Sequence, residues 1–138
     1  MECEFAFLCD FAEQDRKLHA VGIGWETIQA PNLPHRQPNM GIVARLRGSV
    51  AEAGTKDVSV SLIDADGQDV IPAIHQELKF EPRGIEGHVN LVVQLTNVQF
   101  KALGSYAVYV TVGGEQKARL SFTVAEPRRA ATPNSEAG

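Results

Sequence analysis

The chain has 138 residues, 43% of them hydrophobic and 22% charged, with a formal net charge of -4. These values suit one soluble globular domain with a single core. They argue against a nucleic-acid or anionic-membrane surface, which needs gathered Lys and Arg, and no apolar run nears the roughly 18 residues of a membrane span.

The opening segment "MECEFAFLCDFAEQD" has no basic region, and its short apolar stretch is broken by Glu4 and Asp10. No export signal is expected from it, and the cytoplasm is the expected location. Cys3 and Cys9 sit on a segment that reads as a strand, where six positions span roughly 20 Å, beyond the about 7 Å a disulfide tolerates. Their spacing matches neither a zinc knuckle nor a redox pair, so free thiols facing a core are expected.

Two-residue periodicity runs along the chain. Phe5, Phe7, Cys9 and Phe11 share one parity, with Glu4 and Asp10 on the other. "FAEQDRKL" (11–18) is the best helical candidate and would make one turn at most. "LHAVGIGWETIQA" (18–30) reads as a kinked strand, with Gly22 and Gly24 marking a bulge or a close approach by another segment. The three prolines of "APNLPHRQPN" (30–39) suggest a long crossover between sheets. Met40, Ile42, Ala44 and Leu46 then alternate with arginines, and Val58, Val60 and Leu62 alternate with serines. "DADG" at Asp64 supplies a turn. Ile74, Leu78 and Phe80 form the next apolar row, "EPRGIEG" (81–87) reads as a hairpin loop, and Val89, Leu91, Val93 and Leu95 follow. Tyr106, Val108, Val110 and Val112 lead through Gly113-Gly114 to Leu120, Phe122 and Val124. Bulky apolar residues end at Val124, so residues 1–125 are expected to form the domain and 126–138 a disordered tail.

A period of two with one wet face is the signature of antiparallel strands. About eight of them, with turns at short intervals, predict an all-β antiparallel sandwich. In "LGSYAVYVTVGG" a glycine turn precedes Tyr106, which starts a strand of alternating valines. This resembles the penultimate strand of immunoglobulin-like sandwiches, where such a tyrosine pins a corner; Phe100 would pack beneath it. The segments "FAFLCDFA", "KLHAVGI", "GIVARLRG", "VSLIDADGQDVIP", "NLVVQLTNVQF" and "LGSYAVYVTVGGE" together resemble a family of small bacterial β-sandwich domains of unknown function, over roughly Cys3 to Val124. The resemblance implies the fold and a bacterial origin, and it carries no activity, ligand or catalytic residue.

Chemistry is thinly represented. "DADGQD" (64–69) has its glycine too early for a calcium loop and no following bidentate Glu, so a turn is the expectation. His19, His35, His75 and His88 fall in no metal-ligand spacing. If Glu81 paired with Gly87, His75 would lie opposite Val93, well away from His88. Ser49, Ser59, Ser61, Ser105 and Ser121 lack a nucleophile motif, and "GIGWE" lacks the third glycine of a dinucleotide fingerprint. No catalytic residue, metal or cofactor is expected.

The remaining signal lies in apolar residues on the polar parity: Val43, Ile63, Val92 and Tyr109. Either the second face of a sheet is covered, or these residues form a patch for a partner; the patch is the favoured expectation. Trp25 belongs to the same question, as an interior ring or an interface anchor. The Pro-rich loop around Leu33 and His35 is a second candidate. The expected function is a non-catalytic protein-binding or structural module that presents a sheet face or edge to a protein partner, another copy of itself included. The alternative is a small-ligand or carbohydrate-binding domain; no nucleic acid or membrane is expected as a partner.

Overall fold

The computed structural model describes residues 1–127. Among them are ten strands, one short 3-10 turn and no α-helix. All but the first two residues of the expected tail lie outside the described residues. The strands are β1 (Glu2–Cys9), β2 (Phe11–Gln14), β3 (Leu18–Val21), β4 (Thr27–Gln29), β5 (His35–Ser49), β6 (Gly54–Ile63), β7 (Ile74–Phe80), β8 (Glu86–Phe100), β9 (Gly104–Val112) and β10 (Glu115–Ala125). They form a three-stranded sheet ordered β1-β5-β8, a five-stranded sheet ordered β4-β10-β9-β6-β7, and a two-stranded ribbon of β2 and β3. The all-β expectation holds, with ten strands in place of about eight. All pairings are antiparallel except β4 with β10, which is parallel.

The main core lies between the two larger sheets. Met40, Ile42, Ala44 and Leu46 of β5 and Leu91 of β8 meet Val58, Val60 and Leu62 of β6 and Val108 and Val110 of β9. These are the rows the alternation marked, because a pleated strand sends every second side chain to the same face. Burying a Val, Leu or Ile side chain of this kind stabilises the fold by roughly 1.5–3 kcal/mol. At one end of the core Phe100, Tyr106 and Phe122 pack as an aromatic cluster. Phe100 meets Tyr106 edge to face at 4.9 Å, and Tyr106 stacks on Phe122 at 5.6 Å. The Tyr106 hydroxyl donates to the Ala102 carbonyl at 2.6 Å.

Turn chemistry explains two connections. Gly113 and Gly114 have φ of 58° and 86°, the pair of positive values that a two-residue hairpin turn needs, and Val112 pairs directly with Glu115. At Asp64, one carboxylate oxygen accepts the backbone N–H groups of Asp66 and Gln68, both at 2.9 Å. That local bonding closes the loop.

Three expectations change. "EPRGIEG" is a crossover and not a hairpin: β7 pairs with β6 in the five-stranded sheet, while β8 pairs with β5 in the other. His75 therefore lies opposite Ser59, not Val93. The Pro-rich stretch does cross between sheets, from β4 to β5, though β5 begins already at His35 and its pairing with β8 steps past Pro38, which has no N–H to offer. "FAEQDRKL" makes the β2 strand and turn of the ribbon instead of a helical turn. "LHAVGIGWETIQA" splits into β3 and β4, which belong to different sheets.

The β1 parity also changes meaning. A register shift between Cys3 and Phe5 moves Ala6 and Leu8 toward the main core and turns Phe5, Phe7 and Cys9 to the outer face. Phe5 is exposed there beside Arg45, whose guanidinium carbon lies 5.9 Å from its ring centre. The close approach expected at Gly22 is present: a methyl group at this position would overlap the Asp10 carboxylate. That carboxylate accepts the Trp25 indole N–H at 2.9 Å, which fixes the chain where it leaves the ribbon for β4.

Candidate functional site

The outer face of the five-stranded sheet carries the candidate site. Its rows follow from register: Arg119, Tyr109 and Ser61 lie side by side, then Ser121, Ala107 and Ile63, then Thr123 and Ser105. Small side chains at Ala107, Ser121 and Ser105 leave a trough between taller neighbours. Its volume is about 580 Å³, within the range of natural binding clefts. Tyr109 and Ile63 stand half-buried in it. Arg119 lies with its guanidinium carbon 5.7 Å from the Tyr109 ring centre, donates from Nε to the Tyr109 hydroxyl at 3.3 Å, and reaches Ser121 Oγ at 2.9 Å. This bonding holds a long cationic side chain flat along the sheet. The core aromatics Tyr106 and Phe122 back the trough from below and make its floor stiff.

The other singled-out residues divide between two places. Trp25 and His35 line a shallower depression of about 460 Å³ with Asp10 and Gln37. Trp25 is neither purely interior nor free: its ring meets Phe122 edge to face at 6.1 Å while its N–H serves Asp10. His35 is hydrogen-bonded to Gln37 at 3.1 Å. Glu26 borders both depressions, so they adjoin around β4. Leu33, beside the cis Leu33–Pro34 bond, is 46% exposed and lines neither.

Val43 and Val92 require a correction. Val43 is fully buried and Val92 half-buried, because the β2–β3 ribbon folds over the outer face of the three-stranded sheet. Cys9, Ala12 and Val43 make a second small core there, with Phe7, Leu18, Ala20 and Val92 packed around it. The ribbon is tied down by Gln94, which accepts the Ala12 N–H at 2.9 Å and donates to the Asp10 carbonyl at 3.0 Å. Val43 therefore serves the chain's own cover and offers a partner no surface, while Val92 packs at the edge of that small core. Both cysteines are free, and burial pushes each thiol above its ordinary pKa.

Arg119 was missed as a site residue. Alternation with Leu120 and Phe122 marked it as outward, but only the pairing register sets it beside Tyr109. Among the described residues, no group of three or more His, Cys, Asp or Glu converges to hold a metal ion. His19 is paired with Asp15 and His88 with Glu4, each as a separate surface contact.

The fold is all-β, with a concavity of about 580 Å³ on the outer face of the five-stranded sheet. The chain belongs to a family of unknown function, DUF6941, whose model matches residues 4–125. No curated protein matches it. Among solved structures it is similar to a β-glucosidase from Listeria innocua in complex with isofagomine, at 11% identity and a TM-score of 0.51, over 72% of this chain and 15% of that one. It also matches the alkylpurine DNA glycosylase AlkC of Pseudomonas fluorescens bound to DNA with an abasic site analog, at 15% identity and a TM-score of 0.37, over 72% of this chain and 27% of that one. The chain thus spans well under a third of either protein, and the first likeness is one of strand arrangement alone.

Proposed function

We propose that this protein is a non-catalytic binding module of immunoglobulin-like sandwich type that presents the outer face of its five-stranded sheet to a protein partner, a second copy of the chain included. The fold type is supported by the Tyr106 corner and by the core shared between the two larger sheets. The observation that carries the function is the trough, where Ile63 and Tyr109 stand half-buried over a floor of small side chains, with Arg119 laid along it. Aromatic and Arg anchors around a recess are the residue types that dominate binding energy at protein interfaces. A face serves this reading better than the adjoining edge, since β4 offers only three residues for strand addition. A bacterial cytoplasmic setting belongs to the same proposal and rests on the family resemblance and on two unpaired thiols.

A second reading draws on the same trough. The hydroxyls of Ser105, Ser121 and Thr123, with Glu26 and Arg119, would suit a small polyhydroxylated ligand. One substitution separates the two readings from a merely solvated face. Ser121→Arg fills the trough from an exposed position without touching the core. Sedimentation and capture from the native host should then show loss of a partner or of self-association, with an unchanged melting temperature. A sugar that raises the melting temperature of the parent but not of the variant supports the second reading. Unaltered capture by the variant removes the trough from the interface.

A further inference from the structure

The ribbon covers only part of the outer face of the three-stranded sheet. Near Ala12 it is sealed by the Gln94 hydrogen bonds and by the small core around Cys9 and Val43. Toward its turn it stands off. There Gln14, Arg16 and Lys17 of the ribbon, with Arg45, His88 and Asn90 of the sheet, line a depression of about 580 Å³. Four of these six side chains are or can be cationic, and no acid lines the depression, in a chain whose net charge is -4.

Register explains the sorting. Ala12 and Gln14 pair with Ala20 and Leu18 on the covered side of the ribbon, while Glu13 and His19 take the opposite parity. Asp15, at the turn, is already engaged: it accepts the Lys17 backbone N–H at 2.9 Å and contacts His19 at 3.3 Å. Among the described residues, Arg16 and Lys17 have no ion-pair partner. Glu4 is the acid nearest the floor. It lies 3.2 Å from Arg45 Nε and 3.2 Å from His88 Nε2, and 3.8 Å from Arg47 Nη1. One carboxylate thus faces three basic side chains. Arg45 Nε lies 3.2 Å from Glu4 without a hydrogen bond to it, and the guanidinium carbon lies 5.9 Å from the Phe5 ring centre. A guanidinium whose Nε donor is unspent can grip an oxyanion with two parallel N–H groups. Asn90 adds a buried amide oxygen with no hydrogen-bond partner among the described residues, which calls for a donor.

We infer that the depression between the ribbon turn and the three-stranded sheet binds a small organic phosphate that also carries hydroxyl groups. Arg45, Arg16 and Lys17 take the dianion, His88 reinforces them, and the Asn90 amide oxygen accepts from a ligand hydroxyl. The site is separate from the trough, which lies on the other sheet.

Ribose 5-phosphate is a suitable probe, with ribose and inorganic phosphate as controls, followed by amide NMR on the full chain. Saturable shifts are expected at the ribbon turn and around His88 and Asn90, with a dissociation constant of about 1 mM or tighter. The double variant Arg16→Gln/Lys17→Gln changes only the exposed turn and should keep the melting temperature while weakening binding about tenfold, which is a loss of roughly 1.4 kcal/mol. Arg45→Gln should abolish binding, and ribose alone should not bind. No saturable shift up to about 10 mM, a millimolar range far weaker than a built site gives, would overturn the inference. Equal affinity in the double variant, or inorganic phosphate reproducing the full response of the sugar phosphate, would overturn it as well.

Discussion

The two outer sheet faces begin alike and end differently. Each carries apolar residues on the parity that alternation assigns to solvent: Val43 and Val92 on the three-stranded sheet, Ile63 and Tyr109 on the five-stranded one. On the first, the chain doubles back as the β2–β3 ribbon and seals Val43 completely. On the second, no segment of the described chain returns, and Ile63 and Tyr109 remain half-buried beside a trough. An apolar residue on an outer parity is therefore ambiguous until its cover is known. The same pattern marks an internal core in one place and a candidate docking surface in the other.

The comparison can be broken most forcefully with a buried charge. Ala12→Asp sets a carboxylate under the ribbon with no cation to meet it, and urea denaturation should show a loss of about 3 kcal/mol or more. Ser121→Asp on the open face should stay within about 0.5 kcal/mol of the parent. Equal losses would mean that the two faces are not differently covered. A gentler version truncates one residue on each face. Val43→Ala removes two fully buried carbons and should cost about 1.5–2 kcal/mol, whereas Ile63→Ala should cost well under 1 kcal/mol.

The smallest effect concerns the corner that stiffens the trough floor. Tyr106→Phe deletes the hydroxyl that reaches the Ala102 carbonyl and should cost about 1 kcal/mol. Burial raises the Tyr106 phenol above its ordinary value of 10.0, so the folded state holds that proton more tightly than the unfolded chain. The stability linked to this proton is complete below about pH 10 and is lost as pH climbs through the folded value. A pH series of denaturation midpoints should therefore fall less steeply above pH 10 in Tyr106→Phe than in the parent. Parallel curves would mean that the corner does not hold.

Much of the fold is legible in the residues themselves. Gly113-Gly114 between two alternating runs leaves few turns but a tight hairpin. Local chemistry decides such features, so local sequence reveals them. What covers a strand is a different matter. Nothing in "EPRGIEG" distinguishes a loop that turns back from one that changes sheet, because both need only Gly, Pro and polar residues. The ribbon is hidden for a similar reason: Ala12, Leu18 and Ala20 are small or sparse, and their burial depends on Val43, Val92 and Cys9 lying opposite. Arg119 reads as a solvated charge until antiparallel register places it against Tyr109. The depression under the ribbon turn joins residues more than seventy positions apart and has no local signature at all.

The central claim is that the chain's own ribbon closes the outer face of one sheet over Val43, while the outer face of the other sheet lies open around Ile63 among the described residues. It is tested most directly by thiol accessibility. In a Cys3→Ser/Cys9→Ala background, Val43→Cys and Ile63→Cys would each be exposed to a maleimide under native conditions. The account predicts rapid labelling of the Ile63→Cys variant and labelling of the Val43→Cys variant only as fast as the ribbon opens, slower by about a hundredfold or more. Equal rates at the two positions, or faster labelling at position 43, would contradict it.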